Sequence, residues 1–310
     1  MDDKYEIMNL LQVKQNLTKE LNNLVYGSIE IRENSSNRYI YVHYREDGIL
    51  LTKYVGEYSD ELHNLILNNT IKAKELKKEI KKIEKQLKKL NHIDEELSPE
   101  IKKNIDFAKR HLVDNIYNQA ILEGVETTFA DTESIIEGGK INNMSSEDVL
   151  KIVNLKHAWE FILNKNVILS DTNFPLLCEI NKFVEEGFYY NAGKLRSVPV
   201  SIGGTKWTPE LPIESIIKED IQNIFNMEIN DIDKAIKLLL YVMKKQIFID
   251  GNKRTSIIFA NHYLISKGQG IIAVPANLTN EYKKLLIDYY EGKDSTEIKK
   301  FLKEKCFIQI

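Results

Sequence analysis

The stretch Gln246-Ile247-Phe248-Ile249-Asp250-Gly251-Asn252-Lys253-Arg254-Thr255 decides how this chain is read. Before it, residues 232–245 carry apolar side chains at helical spacing, and residues 253–267 resume that spacing after it. A glycine turn that feeds a helix start aims several backbone N–H groups at one point, with the helix dipole behind them. Lys253 and Arg254 add two cations at that point. Asp250 precedes the turn, where a carboxylate suits a Mg²⁺ ion bridging two phosphates. These residue types describe a site for a polyphosphate. Spacing alone leaves a second reading open, because glycine-containing junctions between helices also serve packing only.

Outward from this stretch, residues 98–310 are strongly helical with few glycines. Ser98-Pro99-Glu100 reads as a helix start with proline at its first position. Helical periodicity recurs over 115–124, 148–163, 174–186, 213–225 and 282–290. The one strand-like interruption is 195–207, with Gly203-Gly204 as its turn. Residues 1–58 read differently: a leading helix over about 6–24, then strand-like runs at 27–32, 38–45 and 49–54. Turn residues at 34–37 and Asp47-Gly48 separate these runs, which predicts a three-stranded antiparallel meander. Such a sheet needs a covering helix. Residues 59–97 form a lysine-rich helical linker in this reading, in which Leu76, Ile80, Ile83, Leu87 and Leu90 make an apolar seam.

Residues 71–90 hold nine lysines and three glutamates, so the rest of a chain of net charge −3 is acidic. The plain reading of that run is a solvated helix that packs one apolar stripe on the sheet or on a partner. A basic arm touching nucleic acid is the lesser one, because Glu75, Glu79 and Glu84 interrupt it. With 43% hydrophobic and 29% charged residues, the 310-residue chain has the composition of an ordinary globular protein. Cys178 and Cys306 lie far apart without metal-ligand spacing, which argues against a zinc site and fits a reducing compartment. The first residues lack a signal-peptide apolar stretch and no run of about 18 apolar residues occurs, so a cytoplasmic protein off the membrane is expected.

The deciding stretch resembles the signature of the Fic family: histidine, any residue, Phe, any residue, an acid, Gly, Asn, Gly or Lys, then Arg. Phe248, Asp250, Gly251, Asn252, Lys253 and Arg254 fall on it without a shift in spacing. The resemblance implies a mainly α fold, the Fic helical core with a β-hairpin flap, over about 98–310. A small N-terminal antiparallel sheet, similar to modules attached to assorted bacterial proteins, lies outside it. The resemblance implies that ATP and Mg²⁺ are used, with Asp250 as the metal ligand and Phe248 as the core anchor. Gly251, Asn252 and Lys253 would then form the anion nest, and Arg254 would bind a phosphate. The Asn-Lys-Arg-Thr ending is shared with Doc-type members.

Residues 193–209 resemble the family's flap, which pairs with the backbone of a protein target. Val198, Ile202, Gly203, Gly204 and Thr205 are the candidate target contacts. Residues 115–124 resemble the family's inhibitory helix, Ser/Thr-x-x-x-Glu-Gly, with Glu123 and Gly124 on the motif and Gln119 in the Ser/Thr place.

Two positions depart from the family pattern. Gln246 stands where the catalytic histidine belongs, and an amide can orient a hydroxyl without taking its proton. Ile257 replaces the second arginine that inhibitory glutamates capture, so Glu123 would meet Lys253 or Arg254 instead, or cap a helix. His262, on the same helix as the loop, reads as structural; Trp159 and Trp207 read as core and flap packing. The expectation is a weak or conditional AMP transferase acting on a protein hydroxyl. A catalytically silent nucleotide-binding regulator and a Doc-like protein kinase are the alternatives. The target is unspecified, and self-association stays open.

Overall fold

The computed structural model describes residues 3–34, 37–46, 49–90, 97–139, 141 and 144–310. The chain divides into two compact units, Met1–Ile93 and Asp94–Ile310.

The first unit is a helix, a three-stranded sheet and a second helix. Helix α1 (Asp3–Asn22) precedes strands β1 (Ser28–Asn34), β2 (Asn37–Glu46) and β3 (Ile49–Glu57), which pair antiparallel in the order β1-β2-β3. This is the meander read from the sequence; the Asp47-Gly48 turn and the middle of the 34–37 turn lie outside the described residues. Ile40 and Val42 of the central strand point to one face and are buried against Ile66 of α2 (Asp60–Lys89). Each such aliphatic side chain contributes about 1.5–3 kcal/mol on burial. Leu21 of α1 packs with Ala73 and Leu76 of α2. Residues 60–89, read from the sequence as a linker, thus sit inside this unit as the cover its sheet needs. The glutamates of the lysine run do not interrupt its outer face uniformly: Glu84 is drawn to Lys14 of α1 at 3.0 Å.

The second unit is helical. Ser98 caps α3 (Pro99–Arg110) by accepting from the Ile101 N–H, as the sequence predicts. Helices α4 (Leu112–Leu122), α5 (Phe129–Ile136), α6 (Ser146–Ile162), α7 (Lys165–Ile168), α8 (Phe174–Val184), α9 (Glu214–Asn226) and α10 (Asp231–Lys245) follow. Helix α11 (Asn252–Ser266) is buried on every side, with only Lys253 and Ser266 less than fully covered, so it forms the axis around which the others pack. Its interior polar groups are satisfied. Asn261 exchanges hydrogen bonds with both backbone groups of Ile272 at 2.8 Å, and His262 donates from Nε2 to the Val167 carbonyl at 2.9 Å. Two-residue strands β4 (Ile271–Ile272) and β5 (Phe307–Ile308) pair antiparallel, with α12 (Thr279–Tyr290) and α13 (Thr296–Phe301) between them. No sequence signal marked α5, α7, α13 or this short pair.

The expected flap, residues 193–209, and the residues that follow it to 213 form neither a helix nor a strand ladder. Its tip is the expected Gly203-Gly204 turn, where Thr205 N donates to the Ile202 carbonyl at 3.4 Å. Pro199, Pro209 and Pro212 remove three N–H donors from the two arms. A side chain joins the arms instead. The buried Arg196 guanidinium donates to the carbonyls of Val198 (2.9 Å), Pro209 (3.2 Å) and Glu210 (2.5 Å).

Candidate nucleotide-phosphate site

Between α10 and α11 the chain reverses through two left-handed residues. Gln246 (φ 47°) closes α10, and Gly251 (φ 72°) opens α11. Among the described residues Gln246 is the one non-glycine residue at positive φ. Neighbours hold it there: its carbonyl accepts from Arg196 Nε at 2.6 Å, and its Nε2 donates to the Met243 carbonyl at 2.6 Å. Its Oε1 accepts from Asn252 Nδ2 at 3.2 Å. The amide of Gln246 is therefore committed at both ends to the loop itself.

Asn252 braces that loop. Its Oδ1 accepts from Phe248 N (2.9 Å), and its Nδ2 donates to Phe248 O (2.8 Å). Phe248 fills the core at 1% exposure. Sequence reasoning assigned Asn252 to the anion nest; its side chain is spent on the loop, which leaves its backbone N–H at the helix start. Asn181 on α8 was missed from the sequence. It donates to the Asp250 carbonyl and the Thr255 hydroxyl, both at 3.1 Å, and accepts from Gly193 N at 2.9 Å. One amide thus ties α8, the loop, α11 and the start of the flap.

The charges meet around Arg254, which is 3% exposed. Its Nη2 lies 2.8 Å from Glu185 Oε1 and 3.8 Å from Asp250 Oδ1, and its Nε lies 3.7 Å from Glu123 Oε2. Lys253 Nζ reaches Glu123 Oε1 at 3.4 Å. Glu123 therefore faces both loop cations, as the loss of an arginine at position 257 led us to expect. It stands at the end of α4, where Gly124 (φ 81°) allows the Val125 N–H to bond back to the Ala120 carbonyl at 3.0 Å. Asn118 holds the same helix end, its Oδ1 accepting from Ala276 N at 2.9 Å. Gln119 accepts from Trp159 Nε1 at 3.0 Å, which makes Trp159 a core residue with a satisfied N–H.

Glu185, at the end of α8, was also missed from the sequence. Burial pushes its carboxyl up to about 7, against the pull of Arg254 and helped by the negative charges of Asp250 and Glu123. Asp250 differs: its side chain is 55% exposed, and its Oδ1 accepts from Gly251 N at 2.6 Å. Its carboxylate is available to an incoming cation. Arg254 Nε and Nη1 are buried without a hydrogen-bond partner, as are Glu123 Oε1 and Glu185 Oε1, whose 2.8 Å approach to Nη2 is an ion-pair contact. Unsatisfied charged donors beside a helix N-terminus fit a phosphate, and the exposed carboxylate beside them fits its Mg²⁺.

The remaining candidates fall as follows. Val198 is 48% exposed and Gly203 and Gly204 are exposed, while Ile202 and Thr205 are half-buried along the flap. Trp207 is tethered there by the Lys244 ammonium, 5.3 Å from its ring and 3.0 Å from the Tyr289 carbonyl. His262 is fully buried away from the loop, and burial lowers its pKa to about 4. Burial pushes the Cys306 thiol up to about 12. No group of side chains among the described residues forms a metal cluster, and no helix there is long and apolar enough to cross a membrane.

A buried helix opened by Gly251, a braced loop, and a flap segment tied to that loop through Asn181 and Arg196 make up this site. Residues 171–264 match the family model of the Fic/DOC family, a span that includes α8, the flap, the loop and nearly all of α11. That match and the shared fold support a Fic/Doc-superfamily domain within the chain. No curated protein matches its sequence. Solved structures do share its fold. Fic-1 from C. elegans aligns at a TM-score of 0.52 with 16% identity, covering 78% of this chain and 79% of that one. A Fic domain containing signaling protein from Bacteroides thetaiotaomicron aligns at 0.52 with 18% identity, covering 68% and 86%. A Fic family protein from Desulfovibrio desulfuricans aligns at 0.52 with 13% identity, covering 67% and 72%.

Proposed function

We propose that the chain binds ATP at the Gly251–Arg254 turn and transfers AMP, weakly or conditionally, to a hydroxyl of a protein. The observation that carries this reading is the pair of buried guanidinium nitrogens of Arg254, Nε and Nη1, that lack a hydrogen bond beside the N-terminus of α11. In this account the backbone N–H groups of Asn252 and Lys253 receive phosphate oxygens, that of Gly251 joins them once it leaves Asp250 Oδ1, and Lys253 and Arg254 offset their charge. Asp250 would hold Mg²⁺, which supplies further charge compensation when bound. The target hydroxyl oxygen bonds to the α-phosphorus as the bond to the pyrophosphate oxygen breaks. The hydroxyl proton must go to water or solvent base, because the Gln246 amide can orient a hydroxyl but is not basic enough to take its proton. Loss of a general base typically slows such a step by about 10²- to 10⁴-fold. The flap, with Val198, Ile202, Gly203, Gly204 and Thr205, would hold extended target backbone. Glu123 makes the reaction conditional, since its carboxylate occupies the edge of Arg254 that phosphate needs.

The engagement of both ends of the Gln246 amide favours a second reading, a silent nucleotide-binding regulator. Incubation with ATP labelled at the α- or the γ-phosphate separates the two. Covalent α-label on protein from the wild type supports transfer. Label only from Gln246→His, or from Gln246→His with Glu123→Gly, supports the silent regulator. Label from γ alone replaces both with a kinase.

A further inference from the structure

Arg254 is held by two carboxylates that differ in kind. Glu185 is 1% exposed and meets Nη2 at 2.8 Å. Glu123 is less deeply buried, its side chain 13% exposed, and stands at the longer distance of 3.7 Å from Nε on a helix end followed by a glycine. Its other oxygen shares Lys253 at 3.4 Å and has no hydrogen bond. Nη1 has no partner at all. One nitrogen of the guanidinium, Nη2, is therefore anchored from within the core, while Nε is loosely covered and Nη1 is open. The loop is built around the anchor: a Cβ at position 251 would collide with Glu185 Oε1, so only glycine lets the turn pass over that carboxylate. A buried charged donor left without its partner costs more than a missing neutral bond, so the inner acid fixes where the guanidinium lies.

We infer that Glu185 is a positioning residue for nucleotide binding: it fixes Arg254 through Nη2 so that the separate Nε–H and Nη1–H groups stay directed at the phosphate site, and Glu123 is the exchangeable occupant beside Nε. This rests on the reading of the Gly251–Arg254 turn as a phosphate site. The two acids then act in opposite directions on the same arginine. Removal of Glu123 frees Nε, whereas retraction of Glu185 lets the guanidinium wander. Because the anchor works by position, an isosteric neutral acceptor can replace it and a shortened carboxylate cannot.

The test measures dissociation constants for Mg²⁺-ATP and for adenosine, which lacks phosphates, in the full chain carrying Glu123→Ala. Glu185→Asp keeps the charge and pulls it back by one methylene; Glu185→Gln keeps the reach and removes the charge. We expect Glu185→Asp to weaken ATP by about tenfold, the scale of one lost charge-assisted hydrogen bond, with adenosine unchanged. Glu185→Gln should retain ATP affinity within about threefold. Retention in Asp with a change in Gln would overturn the inference in favour of a bare charge effect. Equal losses for ATP and adenosine would overturn it in favour of a packing role, as would no change in either variant. Arg254→Ala separates the inference from its premise: if that change leaves ATP affinity untouched, the phosphate site itself is wrong and the inference falls with it.

Discussion

Gln246 keeps a left-handed backbone because three hydrogen bonds to its own side chain and carbonyl hold it. A non-glycine residue in that region is strained by about 1–2 kcal/mol, and such strain persists where neighbours over-determine it. Asn252 is the neighbour that matters most. Asn252→Ala would strip partners from both backbone groups of Phe248 in the core, at a cost of about 2–4 kcal/mol, measured as a fall in the urea midpoint. An unchanged midpoint would remove the bracing role. Glu185 makes stability depend on pH. Its folded pKa of about 7 lies above the ordinary 4.5, so its contribution is fully present below 4.5 and lost as pH rises through 7. The whole swing is about 3 kcal/mol at most. His262, depressed to about 4, tilts stability the opposite way between 4 and 6.5. The wild type and Glu185→Gln should therefore be compared from pH 5 to 8, and their difference in unfolding free energy should shrink on the acid side. A constant difference would contradict the burial assigned to Glu185. Neither Glu185 nor Asn181 was legible in the sequence. Each lies in the ordinary helical run of α8, and only the fold brings the loop over them.

At the scale of elements, the junction α10–loop–α11 was legible because glycine, the acid and the cations fall at fixed offsets between two apolar periodic runs. The flap was legible as extended chain but not in how it is held. Its prolines deny it a ladder, and one buried arginine replaces it. Arg196→Lys keeps the charge and loses the planar fork that reaches several carbonyls at once. Residues 198–210 should then become sites of rapid proteolysis and fast amide exchange, while helical circular dichroism stays intact. Protection equal to the wild type would mean the arms are held by something other than Arg196. In the first unit, the alternation of β2 and the seam of α2 could both be read from the sequence. That the helix packs one stripe on the sheet or on a partner was read as well; which of the two it covers could not be, because an apolar stripe does not name its partner.

Over the whole molecule, two units differ in how closely their reading is tied to chemistry. The first is a sheet and its covering helix, with a lysine face directed away from the buried seam Leu76–Ile83–Leu87. The second gathers its core around α11, so the phosphate turn stands on the most buried helix of the chain. Phe259→Ala in that helix should cost about 3–5 kcal/mol and loosen the turn together with the core, read as parallel losses of unfolding midpoint and ATP affinity. A loss of stability with ATP affinity intact would show that the turn holds its shape without the axis. The central claim is that a phosphate site at Gly251–Arg254 is covered by Glu123, and calorimetric titration of Mg²⁺-ATP into the wild type and Glu123→Gly tests it most directly. The account predicts tighter binding in Glu123→Gly by about tenfold, the size of a typical coupling between two competing occupants. Equal or weaker binding in that variant would contradict it.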